Sequence, residues 1–524
     1  MEKFQPTQAH LAARRRKRRV LLQLDALGEA EMRGMEPAAY REYLFGYADT
    51  GHTQIDGIYW DCMFSGDFYA MYESRLLPRR EMKIFAPWLS RGFDLFGEVT
   101  RGGRERGLEN ILVHRISEVD LGFDELGYAE KRAHPEWLIP AEWYTKWLYR
   151  QEERGIGLLN LANPEVRARK LAILEELLRK YEWDGLEIDL CRHTPFLPAG
   201  REWENRAAVT EFMSDLRHML DRLERENGHP YLLSVRTGES EEICRADGVD
   251  LETWLALGLL DSITAGGRSF SPDIEGLKAL IDRFGGDVQL YATIDYHHAT
   301  DGYALPPIEV WRGVVSALLA RGADGIKLFN WSTATDGQRG RIAAEYGIPS
   351  LLDRAPSDAD TAMRELGDRA AVDTLDRTFV AERRGGYPWS NGNSNTNRHA
   401  PLPTDIDGAA EVRIYVSGET EGRDVTLTVL VSEAEGAHIA AELNGHALPR
   451  TREENGVRDN TLPPRGQDWA SGYRPDRMKS PVPCRRLTCE VPPTALRGGW
   501  NTVRVTADRP ARLEKAEIHI QFVQ

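Results

Sequence analysis

The chain has 524 residues, too many for one compact core, so two or three domains are expected. Its net charge of −15 argues against nucleic acid as the main partner, because phosphate recognition needs a basic surface. The amino terminus has charges but no apolar core behind them, and no stretch approaches about 18 apolar residues, so no membrane span is expected and a cytoplasmic location is the default.

Five cysteines, Cys62, Cys191, Cys244, Cys484 and Cys489, form no disulfide framework. Cys484 and Cys489 are near enough in sequence to pair, but a reduced state fits better. No Cys-x-x-Cys or His-x-x-x-His spacing suggests a metal, and no glycine-rich phosphate loop suggests a nucleotide. No cofactor is expected. The basic run Arg14 to Arg19 leads directly into an apolar strand and reads as a solvated approach to it.

From about 18 to 350, short apolar runs alternate with amphipathic segments. Strands are predicted at 20–24, 55–60, 110–114, 185–190, 231–235, 262–265, 288–294 and 325–330. Helical spacing marks 164–181, where Asn163 is a natural N-cap before Pro164, and also 207–227 and 307–321. Eight β-then-α units predict a (β/α)8 TIM barrel over 1–352. A charged connector is expected over 353–409, interrupted by the turn-rich run from Pro388 to Asn397. Period-2 runs within 412–416, 425–431, 501–505 and 516–522 then predict an antiparallel β-sandwich over 410–524.

The most informative segment runs through the fourth strand. Alternation puts Glu187, Asp189 and Cys191 on one face, with Leu186, Ile188 and Leu190 on the other. Buried carboxylates are costly unless paired, hydrogen-bonded or needed for chemistry. Arg192 and His193 follow at the carboxyl end, where barrel active sites are built. Other strand ends deliver Asp61, His114, Arg115, Arg236, Asp295, Tyr296, Asn330 and Trp331. Carboxylates, guanidiniums, imidazoles and aromatics converging on one mouth suit a sugar, whose faces stack and whose hydroxyls take bidentate hydrogen bonds.

Glycoside hydrolysis needs one ionised and one protonated carboxyl group. Asp189 is the first candidate for the ionised member. Glu239 is slightly favoured as the partner acid because its loop gives it longer reach, and Asp295 is the alternative. Asp61, His114, Arg115, Glu187, Arg192, His193, Arg236, Tyr296, Asn330 and Trp331 are candidate substrate contacts. The carboxyl separation, and so retention or inversion, cannot be read from sequence. A Glu-x-Asp pair also suits a divalent cation, but no other ligand at usual spacing accompanies it.

The segment Asp184-Gly-Leu-Glu-Ile-Asp-Leu-Cys-Arg-His193 resembles strand four of the barrel proteins labelled glycosyl hydrolase-like, family-10-like. His114-Arg115, His134-Pro-Glu-Trp137 and Asn163-Pro-Glu-Val-Arg167 extend that resemblance over about 20–335. The chain departs from the pattern at Thr194, which separates His193 from Pro195. A chitinase-type strand would carry its acid at Cys191, so that mechanism is not supported. An α-amylase-type strand shares Gly185, Asp189 and His193, with Asp189 as its nucleophile, but has Arg where this chain has Glu187. The run Leu496 to Val505 is similar to a strand of jelly-roll modules in carbohydrate enzymes. The resemblance implies a glycoside hydrolase acting on oligosaccharide or polysaccharide fragments. Two other readings stay open: a lyase or isomerase on an acidic sugar, with His193 or His297 as base, and a carbohydrate-binding protein without turnover.

Overall fold

The computed structural model describes residues 3–25, 35–61, 67–79, 88, 90–117, 125–139, 158–191, 194–267, 269–295, 303, 306–329, 331, 336–347, 359–384, 399–418, 420–459 and 482–522. Eight parallel strands close a barrel in sequence order: β1 (Val20–Asp25), β2 (Ile55–Asp61), β3 (Glu109–Arg115), β4 (Gly185–Asp189), β5 (Leu232–Thr237), β6 (Ser262–Ala265), β7 (Gln289–Asp295) and β8 (Gly325–Phe329). Each coincides with a predicted strand to within two residues. Helices follow where the apolar spacing placed them. The Pro164–Lys180 helix begins with the Asn163 side chain accepting from the Glu165 N–H at 2.8 Å, and it buries Val166, Ile173, Leu174, Leu177 and Leu178 against the barrel.

Strand alternation sorts side chains into two cores. Leu22, Ile58, Leu112, Leu186 and Leu328 face the helices, while Leu21, Tyr59, Ile111, Val113 and Tyr291 cluster inside the barrel. A second regularity locks the strand starts. The Asp56 carboxylate accepts the Arg19 N–H at 2.7 Å, Asp184 the Asn110 N–H at 2.7 Å, Asp261 the Leu233 N–H at 2.7 Å and Asp324 the Leu290 N–H at 2.8 Å. Every even strand thus opens with an Asp that satisfies the backbone at the start of the odd strand before it. After each comes a small residue, Gly57, Gly185, Ser262 or Gly325. At Gly185 the reason is steric, since a Cβ there would run into the Leu232 carbonyl oxygen.

The basic run is solvated at Arg15, Arg16 and Lys17, as expected, but not at Arg14 and Arg18. Arg14 and Arg18 are only 6% and 3% exposed, and they plug the amino-terminal end of the barrel. Arg18 donates to Glu109 at 2.8 Å. Asp261 receives Arg14 at 2.6 Å, Arg217 at 3.0 Å and His10 at 2.8 Å. The alternating charges are buried because each guanidinium finds a carboxylate that a strand or helix already holds in place.

Past the barrel, helices Ala359–Glu365 and Arg369–Val372 lead into β9 (Arg377–Val380) and β10 (Thr404–Ile406). Both strands lie in the segment expected as connector, yet both join a sandwich sheet. One sheet orders β10, β18 (Ala511–Phe522), β12 (Arg423–Ser432), β16 (Cys484–Glu490) and β15 (Arg450–Val457), with β9 also on β18. The other orders β11 (Ala409–Val416), β17 (Gly499–Ala507), β13 (Ile439–Leu443) and β14 (His446–Ala447). Cys484 and Cys489 stand five residues apart on one strand, roughly 16 Å, too far to bridge. Both are free thiols. Barrel and sandwich meet tightly where helix Ile308–Ala320 crosses β9. Gly313 permits this approach, as a Cβ would strike the Thr378 carbonyl, and the Ser316 and Ser417 hydroxyls lie 2.6 Å apart.

Removing Asp261 strands two buried arginines and a strand N–H, whereas removing the exposed Asp324 carboxylate frees one N–H. Asp261→Ala should cost about 3–5 kcal/mol and Asp324→Ala about 1 kcal/mol in denaturant unfolding. Equal losses would show that the barrel plug contributes nothing beyond strand capping.

Candidate active site

The interior of the barrel is polar above the apolar layer of Leu21, Tyr59, Ile111, Val113 and Tyr291, and parity decides which side chains reach it. Two residues beyond Tyr59 and Val113, and four beyond Tyr291, the inward positions are Asp61, Arg115 and Asp295. Glu187 faces inward to meet Lys327, and so Asp189 does too; Ser234 hydrogen-bonds Glu187, which fixes Arg236 inward as well.

At the carboxyl ends these groups alternate in charge. The Asp61 carboxylate lies 2.6 Å from Arg115 Nε, and Arg236 Nη1 donates to Asp189 Oδ2 at 2.9 Å. The Cys191 N–H donates to Asp189 Oδ1 at 3.0 Å, and the Phe329 ring lies 4.2 Å from the Arg236 guanidinium. Asp189 is fully buried, which alone would raise its pKa. The Arg236 and Arg115 guanidiniums and the Cys191 N–H outweigh that burial and hold the carboxyl below the ordinary range. Burial disfavours the Arg236 cation, but the hydrogen-bonded Asp189 carboxylate outweighs it and keeps Arg236 firmly protonated.

One turn of the pleat deeper, Lys327 pairs with Glu187, whose other oxygen accepts from Ser234 Oγ at 3.2 Å and Thr264 Oγ1 at 3.3 Å. The ammonium lies 3.8 Å from the Tyr59 ring centroid. Burial pushes the Lys327 pKa down to about 8 and the Glu187 pKa up, so desolvation works against both charges even in contact. Gln23 and Thr293, also inward and buried, have no hydrogen-bond partner among the described residues for the Gln23 amide or the Thr293 hydroxyl. Lys327, Gln23 and Thr293 escaped the sequence reading, although each sits two residues short of a strand end on the parity that Glu187 shows.

The structure thus brings together Asp61, Arg115, Glu187, Asp189, Arg236 and Asp295. Others lie elsewhere. His114, one residue out of phase, points into the helical layer, where its Nε2 is 3.3 Å from Lys170 Nζ, itself held by Asp67 at 2.7 Å. Trp331 packs edge-on to Trp311 at 5.1 Å and donates to the Ile294 carbonyl at 3.0 Å, a core position rather than a stacking platform. Trp60 is likewise buried, donating to Asn110 Oδ1. Glu239 lines a cleft between barrel and sandwich. Arg192, His193, Tyr296 and Asn330 lie outside the described residues. Among the described residues no cluster of His, Cys, Asp and Glu could hold a metal, and no helix is long and apolar enough to cross a membrane.

Burial and the neighbouring ammonium push the His114 pKa from 6.5 down to about 3. The unfolded chain therefore takes up this proton first. The stability at stake is complete above about pH 6.5 and lost as pH falls towards 3; for Asp189 and Asp67, also lowered, the loss begins only below about pH 4. Between pH 6.5 and pH 5 the wild type should lose about 2 kcal/mol that His114→Gln does not lose. Parallel unfolding curves for the two proteins over this range would contradict the assignment.

No family model and no curated protein matches this chain. Among solved structures, alpha-L-fucosidase isoenzyme 2 from Paenibacillus thiaminolyticus is similar at 16% identity over 63% of this chain and 49% of its own, with a TM-score of 0.40. The GH36 alpha-galactosidase AgaB from Geobacillus stearothermophilus matches at 13% identity over 95% of this chain and 57% of its own, TM-score 0.35. The glycoside hydrolase domain of PelA from Pseudomonas aeruginosa matches at 14% identity over 59% of this chain and 94% of its own, TM-score 0.33. None of the three carries a family-10 description. The chain spans 49% and 57% of the first two structures matched.

Proposed function

We propose that this protein is a glycoside hydrolase whose chemistry centres on Asp189, acting on oligosaccharide or polysaccharide fragments. One observation carries the reading: a buried carboxylate at the inward carboxyl end of β4 is kept ionised by Arg236 and Arg115. An ionised carboxylate suits the nucleophile or the base of a glycosidase and is unsuited to proton donation.

The second carboxyl group is then Asp295, with Glu239 as the alternative. Asp295 ends β7 on the inward parity, at the same mouth as Asp189 and Arg236. Glu239 lies on the loop after β5 and lines a separate space. In the proposed reaction Asp295 protonates the glycosidic oxygen as the bond to the anomeric carbon breaks. Asp189, or a water it deprotonates, supplies the electron pair to that carbon. Positive charge developing on the sugar ring is favoured by the Asp189 carboxylate. Asp61 and Arg115 would accept and donate hydrogen bonds to sugar hydroxyls, and Glu187 with Lys327 would hold the floor of the site in one geometry.

Asp189→Asn should lower turnover about 1,000-fold or more on whichever glycan of a broad panel the wild type cleaves, with new reducing ends as the readout. Asp295→Asn should lose most turnover while Glu239→Gln keeps it; the reverse would exchange their roles. Turnover unchanged in Asp189→Asn sinks the mechanism, and products absorbing in the ultraviolet would indicate elimination instead.

A further inference from the structure

A cleft of about 700 Å³ opens between the barrel and the outer face of the four-stranded sandwich sheet, a volume usual for ligand sites. On the sheet side, cross-strand neighbours Tyr415 and Trp500 meet edge-on at 5.3 Å and are half-buried. Arg413 and Glu411, exposed, and Thr502 complete that face. On the barrel side stand Phe270, Asp273, Glu242 and Glu239, on the loops after β5 and β6 and the helix starts beyond them. The two loops are joined where the Asp273 N–H donates to the Glu239 carbonyl at 2.7 Å.

The chemistry of these walls selects among occupants. Glu239, Glu242, Asp273, Glu382 and Glu411 outnumber Arg413 and Arg321; Glu411 is paired with Arg504 at 3.5 Å, and Arg321 is engaged by Glu275 at 3.1 Å and Ser271 at 3.0 Å. An anionic ligand would meet net repulsion. A neutral polyol finds acceptors in the carboxylates, donors in Thr502 and Arg413, and apolar surface in Tyr415 and the half-buried Trp500 ring, over which the Arg413 and Arg321 guanidiniums lie at 4.5 and 5.0 Å. The cleft is also near the barrel mouth. Arg236 faces Asp189, and Glu239 reaches the cleft only three residues later, at most about 10 Å of chain.

We infer that the cleft between barrel and sandwich is a second carbohydrate site, holding the distal units of a neutral oligosaccharide whose near end occupies the barrel mouth. This rests on the hydrolytic reading only for the near end; binding in the cleft is testable without turnover. The sandwich then acts in substrate length selection as well as in packing against the helix Ile308–Ala320.

The test uses the full chain carrying Asp189→Asn and compares binding of neutral trisaccharides and hexasaccharides by calorimetry. Trp500→Ala removes the larger of the two aromatic walls, and Thr502→Trp fills the cleft while keeping Trp500 and Tyr415, so a fold defect in one variant does not decide the result. Each should weaken the hexasaccharide about tenfold and leave the trisaccharide unchanged. Unaltered hexasaccharide affinity in a folded Thr502→Trp protein overturns the inference, as does equal weakening of both ligands. If wild type hydrolyses nothing yet both variants lose the long ligand, the cleft assignment holds and the hydrolytic reading falls. If short glycosides are cleaved but the cleft variants bind long chains normally, the reverse is true.

Discussion

The Asp189–Arg236 ion pair is the contact on which the mouth of the barrel depends. Both groups are taken out of water, so either alone would be costly to ionise, and removal of one partner from such a pair typically costs about 3–5 kcal/mol. Their attraction is extended by Arg115 and Asp61, so charge alternates from β2 to β5 around the strand ends. The result is a carboxylate poised as an anion in a desolvated setting, the condition under which electrostatic stabilisation of an oxocarbenium-like transition state is greatest.

That arrangement is only as precise as the strands that deliver it. The Asp carboxylates at 56, 184, 261 and 324 tie each odd strand start to its neighbour, and the plug formed by Arg14, Arg18, Glu109 and Asp261 closes the far end. Stability and the proposed chemistry are thus separated along the barrel axis, with fixed charge pairs at both ends and an apolar and then a polar layer between. The Glu187–Lys327 pair in the polar layer sits where desolvation acts on both partners, and it places a lysine whose pKa is near 8 directly beneath the site.

Much of the fold was legible because apolar runs and caps repeat with the right periods: all eight barrel strands, the Asn163-capped helix and strands β11, β12, β17 and β18 were expected. β13 to β16 were not, because β15, with Arg450, Arg452, Glu453 and Glu454, and β16, with Arg485, Arg486 and Glu490, are too polar to show alternation, and the five-residue β13 and two-residue β14 give too few repeats. The site was legible at Glu187 and Asp189, where two carboxylates share one parity. It was misread where a strand end alone was taken to mean the mouth. His114 is near a strand end, but a one-residue phase shift turns it to the helical layer, whereas Trp331 shares the parity of Lys327 yet lies two residues past the end of β8, where it packs on Trp311. Lys327 lay hidden because its partner is 140 residues away and nothing local marks it. The basic run misled for a related reason: its acceptors, Glu109 and Asp261, are distant in sequence.

The most direct test of the account is a crystal structure of the Asp189→Asn protein with a bound neutral oligosaccharide. A sugar ring is expected at the carboxyl ends of the barrel strands, with its anomeric carbon beside position 189, its glycosidic oxygen within hydrogen-bond reach of Asp295, and Arg236 turned to a sugar hydroxyl or to the substituted amide. A barrel mouth with no sugar in it, its charge pairs closed around Arg115 and Arg236 while sugar binds only elsewhere, would contradict it.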